Sequence, residues 1–240
     1  TYYAPNNQTM IFSGDVTPGA IYLLADQFLS PIPRQHSPPE ITTVEPAQHG
    51  ARRFTLEADA QTPLLHVVFH AVAENDPEAL HLELLLTILA EGTSSRLYQA
   101  LVETEQTALD VNAWRSVGFD PGVAYFALTL PPGGDPVAVE ARLLDMLEDV
   151  VTAGVSDKEL EKARNLHLAS FWRALQTIDG KASALGNYEV FTGDYENLFA
   201  VPEQLAAASA ADLKSVATTV FQRNNMTVGV LRAPDDGGAE

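Results

Sequence analysis

The chain has 240 residues, 46% hydrophobic and 19% charged, the balance of a globular protein with one large core or two smaller ones. Thirty-two acidic residues against 14 basic ones give a formal net charge of −18, which repels phosphate backbones and argues against nucleic acid as a partner. There is no cysteine, which excludes disulfides, thiol catalysis and cysteine-based zinc sites together, and no apolar run reaches the ~20 residues of a membrane span.

The opening stretch, TYYAPNNQTMIFSGD, has neither a charged n-region nor an apolar h-region and does not read as a targeting peptide. A turn at Ala4-Pro5-Asn6-Asn7 runs into an apolar strand predicted over Thr9 to Phe12. A helix follows from Gly19 to Leu29, stopped by Pro31 and Pro33. Between Ser30 and Gly50 there are five prolines and no apolar periodicity. Proline fixes φ and lacks an N–H, so residues 34–50 read as a linker.

Alternation then predicts strands over Arg52–Ala58 and Pro63–Val72. Asp76-Pro77-Glu78 starts an amphipathic helix that Gly92 closes, and Thr93-Ser94-Ser95 caps the next, from about Arg96 to Glu105. Strands over Leu109–Val117 and Gly122–Leu130 come next, then a helix from Pro136 to Thr152. Ser156 and Glu159 form a capping box ahead of a long helix, Asp157 to about Thr177. Helices near Lys181–Phe191 and Ala210–Phe221, a strand over Met226–Leu231 and a polar tail at 235–240 complete the chain. This order predicts an α+β fold of two layers, a mainly antiparallel sheet with helices packed on one face.

The end of the chain echoes its beginning. FQRNNMTVGV at 221–230 repeats the pattern of YAPNNQTMIF at 3–12, at an offset of 225 − 7 = 218 residues, the length of a whole domain. Residues 1–33 then read as the closing part of one domain copy and residues 51–234 as a complete second copy.

YYAPNNQTMIFSGDV (Tyr2 to Val16), DQFLSPIP (Asp26 to Pro33), EGTSSRLYQALVETE (Glu91 to Glu105) and GVSDKELEKARN (Gly154 to Asn165) occur in this order along the chain. In these stretches the chain resembles the pitrilysin/insulinase family of zinc metallopeptidases, which includes mitochondrial processing peptidase and the core subunits of the cytochrome bc complex. The resemblance implies two similar α+β domains per subunit, with zinc held in the first by an HxxEH helix and a downstream Glu. Neither HxxEH nor HExxH occurs here. The resemblance therefore implies that the zinc ligands would precede Thr1, and that this chain is a piece of a longer protein with no cofactor of its own.

Gly92, Ser94, Ser95, Arg96, Leu97, Tyr98, Leu101 and Glu103 fit the family's second-domain motif, and Gly92, Ser94, Ser95 and Arg96 read as a structural cap rather than a nucleophile. Many relatives carry in this stretch an Arg and, seven residues on, a Tyr that help hold the substrate backbone. The aligned positions here are Val102 and Leu109, and neither side chain can donate a hydrogen bond. Either a partner subunit supplies that pair, or the parent protein is non-proteolytic. No catalytic residue is assigned.

The six histidines do not form a metal site by spacing. His66 and His70 are four apart, but on a strand that spans ~13 Å. His36 and His49 lie in the linker, and His81 and His167 lie on helices without partners at ligand spacing.

The resemblance thus implies the non-catalytic chamber domain of a zinc metalloendopeptidase subunit. Its partners would be its own first domain, a homo- or hetero-dimeric partner subunit and an extended peptide. The alternative is a non-proteolytic assembly subunit like the bc-complex core proteins. The compartment is left open, since the family has periplasmic, cytoplasmic and organellar members, and the bacterial periplasm or cell envelope is the preferred reading. Measured by atomic absorption after dialysis, this chain should carry no stoichiometric zinc; retention near one equivalent would overturn the structural reading of its histidines.

Overall fold

In a computed structural model, residues 2–234 are described. They divide into two compact bodies, Thr1–Ala47 with Leu168–Pro202, and Gln48–His167 with Glu203–Glu240. No helix among the described residues is long and apolar enough to cross a membrane. The polar tail predicted at 235–240 lies outside the described residues.

The second body is built on a five-stranded sheet. Its strands are β1 (Arg52–Glu57), β2 (Leu64–His70), β3 (Asp110–Arg115), β4 (Val123–Thr129) and β5 (Met226–Arg232), in the order β1-β5-β2-β4-β3. Only β1 and β5 run parallel; every other pair is antiparallel, as predicted. Alternation decides the two faces. In β2 and β4 every second residue is buried, among them Leu65, Val67, Phe69, Ala124, Phe126 and Leu128. Of the covering helices, α3 (Pro136–Ala153) packs on β2 and α2 (Ala79–Ala90) on β3, and α7 (Ala210–Val220) packs on both α2 and α3.

α2 is apolar nearly all round, and nine of its twelve residues are buried, so it runs through the middle of the core. Phe69, Phe126 and Phe221 meet edge to face with ring centroids 5.3 to 6.2 Å apart. One charge is taken into this layer. Glu140 of α3 is buried and accepts two hydrogen bonds from Arg53, at 2.5 and 2.6 Å. That bond holds the Arg53 guanidinium above its ordinary pKa, and its paired geometry offsets the cost of desolvating the carboxylate.

The helix ends follow the sequence. Gly154 closes α3 with φ 79°, a conformation that glycine adopts without strain. The Ser156–Glu159 capping box opens α4 (Asp157–Ala174): Glu159 accepts from the Ser156 amide at 2.8 Å, and its own amide donates to Ser156 Oγ at 3.4 Å. Ser209 and Asp212 repeat the device at α7.

The first body carries α1 (Pro18–Phe28), α5 (Ile178–Thr192) and a 3₁₀ segment, Tyr195–Ala200, packed on α5; a short helix α6 (Val201–Ala207) follows. The last two elements were not predicted, because PEQLAA is too short to show a period. The strand predicted over Thr9–Phe12 forms no ladder among the described residues. A strand exists only by pairing its N–H and C=O groups with a neighbour, and apolar alternation cannot supply the neighbour.

The echo holds locally. Pro5–Asn7 and Arg223–Asn225 both form one 3₁₀ turn, entered and left through extended residues. The backbones close alike, Asn7 N to Ala4 O and Asn225 N to Gln222 O, both at 2.9 Å. Even the side chains agree: Asn7 Nδ2 donates to Tyr2 O and Asn225 Nδ2 to Val220 O, each five residues back. Asn225 alone adds a bond to His70 O on β2, at 3.0 Å. Replacing Asn225 by Ala should therefore cost about 1–3 kcal/mol in chemical denaturation, and Asn7→Ala, in an exposed turn, under about 0.5 kcal/mol.

Candidate functional site

The EGTSSRL motif makes the turn between α2 and a π-helical segment, Tyr98–Thr104. Gly92 takes φ 75°, and the Ser95 amide donates to Gly92 O. The predicted serine cap is not what holds this turn. Ser95 Oγ is buried without a hydrogen-bond partner among the described residues, and Ser94 Oγ accepts from Lys162. Arg96 does the work instead, because it meets a fixed carboxylate. Its Nε and Nη2 reach Glu159 at 2.6 and 2.8 Å, and Nη2 also donates to Gly154 O at 3.2 Å. Glu159 thus serves the capping box and the motif arginine together.

Val102 lies half-buried within the π-helical segment, and Leu109, 53% exposed, lies just before β3. The loop between them folds back, with the amides of Thr107 and Ala108 both donating to Leu101 O. π-Helical turns are rare and cluster at functional segments, and this one falls on the stretch where the family resemblance puts substrate contacts.

His66 and His70 sit on one face of β2, as the strand period requires. His66 meets the Tyr125 ring edge to face at 6.0 Å, and His70 Nε2 lies 3.3 Å from Gln48 Oε1. No group of three or more metal-ligating side chains forms among the described residues.

His167 has partners that sequence spacing did not reveal. Its Nε2 lies 2.8 Å from Thr87 Oγ1 and its Nδ1 3.7 Å from Glu83 Oε1. Thr87 Oγ1 donates to Glu91 Oε2 at 2.9 Å, and Glu83 Oε2 also lies 3.3 Å from Arg115 Nη2. Arg115 Nη1 in turn meets Glu74 at 2.6 Å. Burial alone would lower the Arg115 pKa, but Glu74 and Glu83 outweigh it and raise it, so the guanidinium stays charged. Glu83, Thr87, Glu91, Arg115 and His167 line a cavity of about 320 Å³ beside the edge strand β3. Glu83, Thr87 and Glu91 are four apart on α2, a stripe legible in the sequence. His167 and Arg115 join it only through the fold, 80 and 28 residues beyond Thr87.

A family model described as the peptidase M16 inactive domain matches residues 1–166. The chain belongs to this family. It is similar to a zinc protease of uncharacterized function from Rickettsia bellii, 25% identical over 92% of this chain and 52% of that protein. Among solved structures, a protease from Helicobacter pylori superposes with TM-score 0.85 at 22% identity, over 92% of this chain and 54% of that one. An inactive peptidase domain from Bordetella parapertussis is 30% identical over 77% of this chain and 97% of that one, with TM-score 0.66. The chain spans about half the length of the curated relatives it matches. The M16 family and the α+β fold implied by the sequence motifs are thereby shown.

The Glu159 carboxyl is held at a pKa of about 2, below its ordinary 4.5, chiefly by the bond from Arg96, with the Ser156 hydroxyl and amide helping against the opposing effect of burial. A depressed carboxylate contributes stability that is present above pH 4.5 and lost as pH falls through about 2. Thermal melts between these limits should show this loss in the parent chain. Glu159→Gln should already be less stable at pH 7 and should show a shallower decline.

Proposed function

We propose that this chain is the peptide-holding, non-catalytic domain of a zinc-dependent metallopeptidase subunit. In this reading residues 51–234 are that domain, residues 1–33 close the preceding catalytic domain, and residues 34–50 link the two. The observation that carries it is the helix-free face of the sheet. There Phe54 and Leu56 are more than half exposed and Trp114 is 46% exposed, with Val68 and Tyr125 partly exposed beside them on rigid strands. The Trp114 and Tyr125 rings stack at 5.1 Å, 2° from parallel. Monomeric proteins rarely leave such a face without a use, and a flat aromatic surface on strands suits an extended chain.

Hydrolysis and its zinc belong, on this reading, to the catalytic domain, whose HxxEH helix supplies ligands and the base that activates water. As the closing part of that domain, residues 1–33 leave an apolar groove of about 700 Å³, lined by Met10, Phe12, Ile21, Tyr22 and Leu29, for the rest of it to fill. Val102 and Leu109 cannot grip a substrate backbone, so a partner subunit supplies that contact. A bacterial periplasmic or cell-envelope location is proposed with it.

The test uses the longer parent protein. It should hold about one zinc per catalytic domain and cleave an unstructured peptide. Phe54→Asp and Leu56→Asp should raise KM roughly three- to tenfold with kcat nearly unchanged, because they remove binding common to ground and transition states. A parent without zinc or peptidase activity would favour the assembly-subunit reading instead.

A further inference from the structure

We infer that the helix-free face of the sheet selects an extended peptide segment in which an acidic residue stands two positions from an aromatic one. This substrate class deepens the peptide-holding reading, on which it rests. The formal charge of −18 would by itself predict the opposite, a basic peptide. The placement of charge on the strands decides otherwise.

Strand register assigns the face. Arg53 reaches Glu140 of α3 and Arg115 reaches Glu83 of α2, so the residues alternating with them, Arg52, Phe54, Leu56, Asp110, Asn112 and Trp114, stand on the other side. Among the described residues Asp110 is the one carboxylate that the five strands place there. It lies at the corner opposite Arg52. Four strand spacings and four residues along β3 separate the two, about 23 Å in all, which is more than two screening lengths at physiological salt. Arg52 itself is exposed, and no carboxylate pairs with it among the described residues. It is an unanswered cation on a face almost free of anions.

A second observation, independent of charge, gives the rest of the ligand. A Cβ at Gly229 would lie 2.7 Å from Phe54 Cζ, so the Phe54 ring lies over Gly229 in space where a side chain would collide. The ring is thereby held in place, yet 52% of Phe54 stays exposed. Arg52, Phe54 and Leu56 follow one another at steps of ~7 Å along β1, the repeat at which an extended peptide presents every second side chain. A peptide carboxylate meets the guanidinium, and an aromatic side chain two residues on lies against Phe54. A basic residue in the first place would face a like charge. The acidic surface elsewhere acts through solvent and is screened beyond ~8 Å, whereas the contact with Arg52 is direct.

Binding to this 240-residue chain is measured by NMR titration with three capped peptides, acetyl-Phe-Thr-Xaa-Thr-Phe-amide, in which Xaa is Glu, Gln or Lys. Each reads the same from both ends, so either chain direction presents the same spacing. In about 150 mM salt the Glu peptide should bind about two- to fivefold tighter than the Gln peptide, the worth of one exposed ion pair, and the Lys peptide should bind weakest. The amide signals of Arg52, Phe54 and Thr227 should shift. Arg52→Gln should abolish the advantage of Glu over Gln. Lys158→Gln, which removes an exposed cation from α4, should leave that advantage unchanged. Circular dichroism checks that both variants keep the sheet. A Lys peptide that binds as tightly as the Glu peptide, or a preference that survives Arg52→Gln, would overturn the acidic class and leave the peptide-holding reading standing. Binding of none of the three would overturn both.

Discussion

The position of β5 constrains the rest of the second body. The last strand in sequence sits inside the sheet, between β1 and β2, and its pairings span from Arg52 to Arg232. β1 has no neighbour other than β5, so the parallel pair exists only when the two ends of this body meet. The Asn225 side chain bonds β2 at the point of entry and fixes where β5 begins. Closing so long a loop costs entropy that only the completed sheet returns. The helix layer depends on the same event, because the buried row of β5, with Met226 and Val228, faces the core.

Much of this was legible in the sequence because its signals are short-range. Strand alternation, the closing glycines at 92 and 154, and the Ser156–Glu159 box each rest on contacts within a few residues. The echo of Asn-Asn was legible too, and it extends to backbone turn and side-chain bond alike. What escaped depends on partners distant in the chain. The serine cap at 94–95 gave way because Lys162 and the Arg96–Glu159 pair come from another helix. The π-helical turn is one residue per turn away from the α pattern, and composition does not distinguish them. The cavity escaped for the same reason: His167 on its helix shows no ligand spacing, and only the crossing with α2 gives it Thr87 and Glu83.

Both faces of the sheet follow one rule with opposite outcomes. Toward the helices, charge is admitted only in pairs, Arg53 with Glu140 and Arg115 with Glu74 and Glu83. Away from them, aromatic and aliphatic side chains stand open. At β3 the two regimes stand back to back, with Arg115 facing Glu83 on the helix side and the Trp114 indole stacked on Tyr125 on the other.

An open sheet has two unpaired rims, and crowded chains can extend one another there into fibrils. The rims here are β1 and β3. In a chain with only 14 basic residues, three of them occupy these rims: Arg52 and Arg53 open β1, and Arg115 closes β3. Arg115 is turned inward, so a foreign strand stacked on β3 would have to dehydrate or displace a guanidinium already bound by two carboxylates. The cations that organise the native sheet also make it a poor seed for aggregation.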